Sequence, residues 1–556
     1  MSNPFSFDIQ SNSSDSHQST PWCLMLVLPF LNPQQDGLTE DDAMKTEDLF
    51  IDKDILKIQT QSSKSDYQTV ATANLISAKY NYQSKVNPGD HAFIWMGDDR
   101  AKLVQLQLDL AAGKKCNGKD SGLKFFGRVI SVRTDFVTQG QGIKTVRYNM
   151  TMAGFSEFGA TIYYNPLLYN SSTQGLPTTG KSRKFLDDVS AKFRSLIFGD
   201  KGIDYLTSQG FVEFFINVFL GEGPDKRFVN GAPKNTNTAF LIPSRVAEIF
   251  GVNSPRPTYS DIIHRLLGIQ QYDGTSYYPV LKDSDKKLTF LSKDRVVGSM
   301  LAPPETFDST IWALIDNYKN PTLNECYTTL KINKDGDIAP HFTLRQIPFN
   351  TDKYTGTKHT KLSTLPTWKL ATDWQIYSFN IGTSDASRFN FFQVFGHYLA
   401  YDKADPNLSQ DFEKHYATIL GNFDIYGSDI RRSGPRNMIR AVYTNFIKAK
   451  NEPNVNEWTL LLADWYKNGH LKFNGTIDMA GVSAPICVGD NLQVANKSFH
   501  IESVSHSYTQ EENGGIRTFS TSVALSRGIV IDSSLDSKEV KDVSNQFTPG
   551  LSNGNE

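Results

Sequence analysis

The sequence predicts a mixed, β-rich α+β fold, with two similar small antiparallel β-barrels flanking a central α+β region. Three observations carry that expectation. The stretch QGIKTVRYNMTMAGF (141–155) has a counterpart, GGIRTFSTSVALSRG, at 514–528. Aromatic residues make up 12% of the chain, with 36 Phe and 23 Tyr, a composition suited to pleated, half-buried surfaces. Helical spacing, by contrast, is concentrated between the two copies. A chain of 556 residues has room for about three or four domains.

Residues 1–20 are polar and Ser-rich without periodicity and read as a flexible arm. Residues 21–160 read as the first β-barrel domain, with turns at VNPGD (86–90) and TQGQG (138–142). Its opening run, CLMLVLPFL (23–31), is too short to span a bilayer and is interrupted by Pro29. No Lys or Arg precedes that run, so it lacks the charged start of a signal peptide and reads as a buried strand in a soluble chain without an export address. Residues 161–300 read as a helix-rich middle domain. In RKFLDDVSAKFRSLIF (183–198), Phe185, Val189, Phe193 and Leu196 fall near helical spacing, and SDIIHRLLGI (260–269) reads as a second amphipathic piece. Residues 301–470 form the central α+β region, residues 471–532 the second β-barrel, and residues 533–556 a flexible tail.

The repeat can be tested residue by residue. With Gly142 placed on Gly515, Val146, Tyr148, Met150 and Met152 fall on Phe519, Thr521, Val523 and Leu525. Arg147 and Asn149 fall on Ser520 and Ser522. A slip of one residue would exchange the two faces of a strand, so agreement of phase is informative. Upstream, Ser131–Val132 matches Ser503–Val504, and Gly89–Asp90 matches Gly489–Asp490. The spacing between those landmarks is 28 residues longer in the first copy, which places an insertion at about 97–122.

Motifs for chemistry fare less well. GLPTTGKS (175–182) satisfies the phosphate-cradling pattern, with Lys181 and Ser182 in the key places. The segment before it, YYNPLLYNSSTQ, is no buried parallel strand, so a plain loop leading into a helix is the better reading. IWALID, ending at Asp316, has helical spacing behind a cap at Asp308 or Ser309 and is no strand-end carboxylate motif. In NKDGD (333–337), a calcium-loop register would put Lys331 and Phe342 where carboxylates are required, leaving a turn between two strands. His506 reads as structural. Arg431, Arg432, Arg436 and Arg440 read as a solvated or interface surface before an acidic-partner site. Cys23, Cys116, Cys326 and Cys487 have neither paired nor metal-ligand spacing. No catalytic, cofactor-binding or metal residue is assigned. A net charge of −2 offers no footprint for specific nucleic-acid binding, and no membrane association is expected.

One stretch carries more. In 309–350, a helix with Trp312 leads to Leu323-Asn324-Glu325 and a strand with Tyr327. A turn at Gly336 follows, then a strand ending Leu344-Arg345, then Pro348-Phe349. This succession resembles the central domain of the tail or baseplate hub proteins of long-tailed phages and related contractile injection machines. Gly489-Asp490, the SVSH of 503–506, Gly514-Gly515 and the LSRG of 525–528 resemble that family's last barrel. The resemblance implies a non-enzymatic virion structural protein made in the host cytoplasm and placed in the tail or baseplate. It implies a homotrimeric ring with two barrels per subunit, acting as an adaptor between tail tube protein and central spike protein, with a tape-measure protein as a further partner. Six similar barrels would then face a six-fold tube, and a slightly acidic wall suits a channel that DNA must pass without sticking. The alternatives are a hub of a bacterial contractile injection system and an enzyme. The enzyme would be a hub-associated peptidoglycan hydrolase with its site in the middle region, or, less favoured, a P-loop NTPase.

Overall fold

The structure is a computed structural model. It describes residues 6–9, 20–164, 241–279, 309–349, 362–396, 420–442 and 462–531, with short breaks inside the longer stretches. GLPTTGKS, the 183–198 helix and the 533–556 tail lie outside the described residues.

The chain is β-rich, as expected. In the first part run β1 (Ser6–Ile9), β2 (Trp22–Leu28), β3 (Leu49–Ile51), β4 (Ile55–Ser63), β5 (Val70–Ile76), β6 (His91–Gly97), β7 (Leu123–Thr138) and β8 (Lys144–Gly154). Short strands β9 (Tyr163–Tyr164), β10 (His264–Leu267), β11 (Gln270–Tyr272), β12 (Tyr277–Pro279) and β13 (Ser309–Thr310) follow. Next come a long hairpin, β14 (Asn324–Ile332) and β15 (Ile338–Gln346), then β16 (Thr367–Leu370) and β17 (Ile376–Gly382). A separate three-stranded sheet is formed by β18 (Phe391–Gly396), β19 (Leu420–Asp424) and β20 (Asn437–Val442). The last strands are β21 (Phe473–Ala480), β22 (Asn491–Val494), β23 (Lys497–Gln510) and β24 (Arg517–Val530).

Fourteen of these strands make one continuous sheet, in two runs of the same order. The first run is β4-β5-β8-β7-β6-β2-β3 and the second is β17-β21-β24-β23-β22-β16-β1. The first five strands of each run, in the order written, are antiparallel throughout. At the outer end they differ: β2 is antiparallel to β6, whereas β16 runs parallel to β22. The runs are joined where β4 lies antiparallel to β23. Among the described residues no strand pair closes either run into a barrel. β16 and β17 join the second run from residues that the sequence reading places in the central region.

The likeness extends to irregularities. β7 and β8 slip between Val129 and Ser131, and β23 and β24 slip at the equivalent place, between Ile501 and Ser503. β4 against β5 slips between Ile55 and Lys57, and β17 against β21 slips between Ile376 and Ser378. Gly89 N–H donates to Val129 O (2.8 Å), as Gly489 N–H donates to Ile501 O (3.0 Å). Both glycines have positive φ, +102° and +83°, which a side chain rarely adopts. Bulges are placed features of a sheet, so their recurrence ties the two runs together more firmly than alternation does.

Burial follows the strand period. Met150 and Met152 are buried in the first core and Val523 and Leu525 in the second, while Val146 is half-buried. Arg147, Asn149, Ser520 and Ser522 are intermediate in exposure. β2 shows why the 23–31 run is apolar without alternation. Cys23, Met25 and Val27 enter the first core, and Trp22, Leu24, Leu26 and Leu28 pack in a second cluster on the other face. That outer cluster is closed by Leu103 and Leu110 of the Arg100–Ala111 helix, which lies within the expected insertion and is capped by Asp99.

Three local expectations are corrected. Ser6–Ile9, expected to be part of a flexible arm, is a strand parallel to β16, whose edge would otherwise lack a main-chain partner. The Ile311–Tyr318 helix is capped by Thr310, not Asp308 or Ser309; its side chain accepts from Ala313 N–H. SDIIHRLLGI is helical only to Ile262, because His264–Leu267 is captured as a parallel strand on the open edge of β15. Ile332 lies opposite Ile338, and Asn333–Gly336, where a turn is expected, lie outside the described residues.

Candidate functional site

The central hairpin and the helix before it are fastened to both runs of the sheet, and each fastening uses polar groups that are mostly buried. On the first run, Trp312 stacks on Tyr67 at 4.3 Å and 6°, and its Nε1 donates to Ser156 O (2.9 Å). Tyr67 Oη donates to Asp316 Oδ1 (2.6 Å) and accepts from Lys319 Nζ (2.6 Å), so Asp316 is a structural carboxylate on a helix. Thr328 Oγ1 donates to Tyr67 O (2.8 Å).

On the second run the contacts are ionic. Lys331 Nζ meets Asp490 Oδ1 at 2.6 Å, and Trp368 Nε1 donates to the other oxygen at 3.1 Å. Arg345, fully buried, donates to Glu325 (2.7 Å) and to Gly489 O (2.7 Å). The aspartates of the two copies have thus diverged. Asp90 accepts from Asn87 N–H (2.7 Å) within its own turn. Burial pushes its carboxyl up to about 6 despite backbone hydrogen bonds and Arg128. Asp490 instead anchors the hairpin.

A second cluster sits where both runs and the hairpin meet. Lys64, just past the end of β4, donates to Glu325 (2.6 Å), Glu502 (3.1 Å) and His500 Nε2 (3.0 Å). An ammonium can only donate, so His500 Nε2 accepts and its Nδ1–H donates to Asn491 Oδ1 (3.2 Å). Burial, then Lys64, holds that imidazole neutral. Arg527 meets Glu502 at 3.0 Å and donates to Pro348 O (3.1 Å). Burial pushes Glu325 and Glu502 up, but the surrounding cations outweigh it and hold both below the ordinary carboxylate range.

These groups border a cleft of about 470 Å³, lined also by Phe349, Trp465 and Tyr466. Phe349 stacks on Trp465 at 4.8 Å, and Arg527 covers its ring at 5.3 Å. A general acid needs a proton at working pH. Neither Glu325 nor Glu502 holds one, and every Lys64 proton is already engaged. The arrangement is suited to fastening three chain segments together.

The motifs singled out in the sequence converge here: Glu325, Arg345, Pro348, Phe349, Gly489, Asp490 and Arg527. Lys64, Lys331, His500 and Glu502 were missed, and nothing local in their sequence marks them. His506 is buried, with Nδ1 3.0 Å from Thr521 Oγ1, a structural pairing as expected. Arg436 is 3.4 Å from Asp385 on the exposed side, and Arg431, Arg432 and Arg440 do not join the cluster. Among the described residues no group of three His, Cys, Asp or Glu could hold a metal, and no helix is long and apolar enough to cross a membrane.

No family model and no curated protein matches the chain. Solved structures do. The tail protein from Neisseria meningitidis MC58 aligns over 93% of this chain and 99% of its own, with 8% identity and a TM-score of 0.38. The 43 kDa tail protein of prophage MuSo2 from Shewanella oneidensis aligns over 91% and 98%, with 8% identity and a TM-score of 0.38. The E. coli c3393 protein, a type VI secretion component described as similar to the T4 tail proteins gp27 and gp5, aligns over 86% and 74%, with 8% identity and a TM-score of 0.26. The chain's solved-structure neighbours are tail and secretion proteins. At TM-scores below 0.5 that likeness alone fixes neither fold nor function.

Proposed function

We propose that the chain is a structural, non-enzymatic hub of a phage tail or baseplate, located in the virion. In this reading three copies form a ring that joins a six-fold tail tube to a central spike, contacting tube and spike proteins and, at one face, the tape-measure protein. The observation that carries it is the repeated strand order, with bulges and glycine turns at the same places. A ring protein that must match three-fold to six-fold symmetry needs two like surfaces per subunit, and a chain with two like sheet units supplies them. The buried ion pairs suit the same role, because they tie both units to one hairpin and hold their spacing. The two runs are proposed to be the two barrels of the ring.

Light scattering on the purified protein, alone and with tube or spike protein, tests this. The expected mass is three times that of the monomer. Failure to form trimers even with those partners present overturns the hub reading.

A further inference from the structure

The sheet contains one copy of a contact for which the repeat supplies two sets of parts. β4 covers the outer edge of β23, pairing Lys57–Ser63 with Ser503–Thr509. By the strand equivalence, β17 stands for β4 and β7 stands for β23. Among the described strands β17 pairs only with β21, and the Ser131–Thr138 half of β7 pairs only with β8. Among the described strands each run therefore leaves one half of the same joint unpaired.

The side chains on those edges have the exposure expected of a missing partner. Ile55 and Ile58 of β4 are both 0% exposed; their equivalents on β17, Ile376 and Phe379, are 38% and 48% exposed. Tyr508 of β23 is 2% exposed, and its equivalent on β7, Phe136, is 74% exposed. Tyr508 and Phe519 sit on second-run strands yet pack in the first run's core, because the joint carries them across. Phe136 and Val146 hold the same two positions one joint further on. Thr134 Oγ1 donates to Gln83 Oε1 (2.6 Å) and Asn149 Nδ2 donates to Asp135; both bonds are between side chains and leave the main chain available.

We propose that β17 of one copy pairs antiparallel with the Ser131–Thr138 half of β7 of a second copy, in the register of the internal joint. Tyr508 lies opposite Ile58 and His506 opposite Thr60 in that joint. The same register puts Phe136 opposite Phe379 and Thr134 opposite Ile381. Phe136 then enters the neighbour's second-run core, as Tyr508 enters the first. An unpaired strand edge is a template for pairing, and apolar side chains on both edges select this partner over solvent. The contact is head-to-tail, and it builds a ring where the rotation between copies closes. The number of copies in that ring rests on the trimeric reading above; the strand pairing does not.

The test replaces Phe136 and Phe379 with cysteine in a Cys116→Ser chain. Cys23, Cys326 and Cys487 are buried. Opposed residues on antiparallel strands stand within disulfide reach, about 4.5–5.5 Å between Cα atoms. Phe136→Cys/Phe379→Cys should give covalent trimers under mild oxidation. Phe136→Cys/Ser378→Cys should not, since Ser378 points to the opposite face. Light scattering runs alongside. A trimer without the 136–379 cross-link overturns the strand assignment and leaves the trimer standing. A cross-linked ring of another size supports the pairing and overturns the copy number. A monomer without cross-link, with tube or spike present, overturns both.

Discussion

Lys64→Met removes the ammonium that bridges Glu325, Glu502 and His500, and the structure sets how much that should cost. Lys64 and Glu325 are 8% and 9% exposed, so water screens the cluster little. Yet each carboxylate keeps an arginine after the change, Arg345 on Glu325 and Arg527 on Glu502. No carboxylate is left unpaired, and the loss is that of charge-assisted hydrogen bonds, about 2–3 kcal/mol. Glu325→Gln is the harsher change. It leaves buried Lys64 with Glu502 and buried Arg345 with Gly489 O and the more distant Asp490, and breaking a buried pair from one side costs about 3–5 kcal/mol. A chain of this size need not unfold in one step, so the assay is native-state hydrogen exchange at the β4–β23 amides. Lys64→Met should speed their exchange by about 30- to 150-fold, and Glu325→Gln by more, at about 1.4 kcal/mol per factor of ten. If Lys64→Met is the costlier substitution, or costs under about 1 kcal/mol, the cluster does not hold the joint as argued.

The pH dependence should have opposite signs at two places. Glu325 and Glu502 are held below the unfolded carboxylate value of 4.5, so their contribution is complete above that pH and is lost as pH falls below it. Asp90 is raised from 3.8 to about 6, so the first run's turn should gain protection as pH falls from 6 toward 4, and Asp90→Asn should abolish that gain; exchange against pH reads both. Gly489→Ala should disrupt folding far more than Gly89→Ala, as yield of soluble protein would report. An added Cβ would clash with Tyr327 Oη and its ring in the first case and meet only the far end of the Arg128 side chain, at 3.1 Å, in the second. ATP should not raise the melting temperature, and Lys181→Ala should leave assembly intact; a magnesium-dependent shift lost in Lys181→Ala would restore the nucleotide reading.

Much of this was legible in the residues because strand period and phase are local properties. The pairing of Met150 with Val523 and Met152 with Leu525 needs only alternation and a shared turn, and both are buried as that phase requires. Gly89-Asp90 and Gly489-Asp490 were visible as a pair because a turn of positive φ demands glycine. What each aspartate does was not visible. Asp90 serves main-chain N–H groups, of Asn87 in its own turn and of Phe30, and Asp490 a hairpin lysine 159 positions away, a choice made by which cation the fold delivers. Lys64 could not be found from SSKSD, since Glu502 and His500 reach it through the β4–β23 joint and Glu325 through the central hairpin packed there. The strand at Ser6–Ile9 was hidden for the same reason: four residues inside a Ser-rich polar segment pair only because β16 offers them an edge. The sequence by itself determined the repeat, its phase and the buried first strand, because those follow from side-chain alternation along a chain. The tertiary structure alone decided that the two copies share one sheet and that the ion pairs meet at their seam. It also decided that, among the described strands, one joint is made and its twin is not, because edges, burial and charge partners depend on residues hundreds of positions apart.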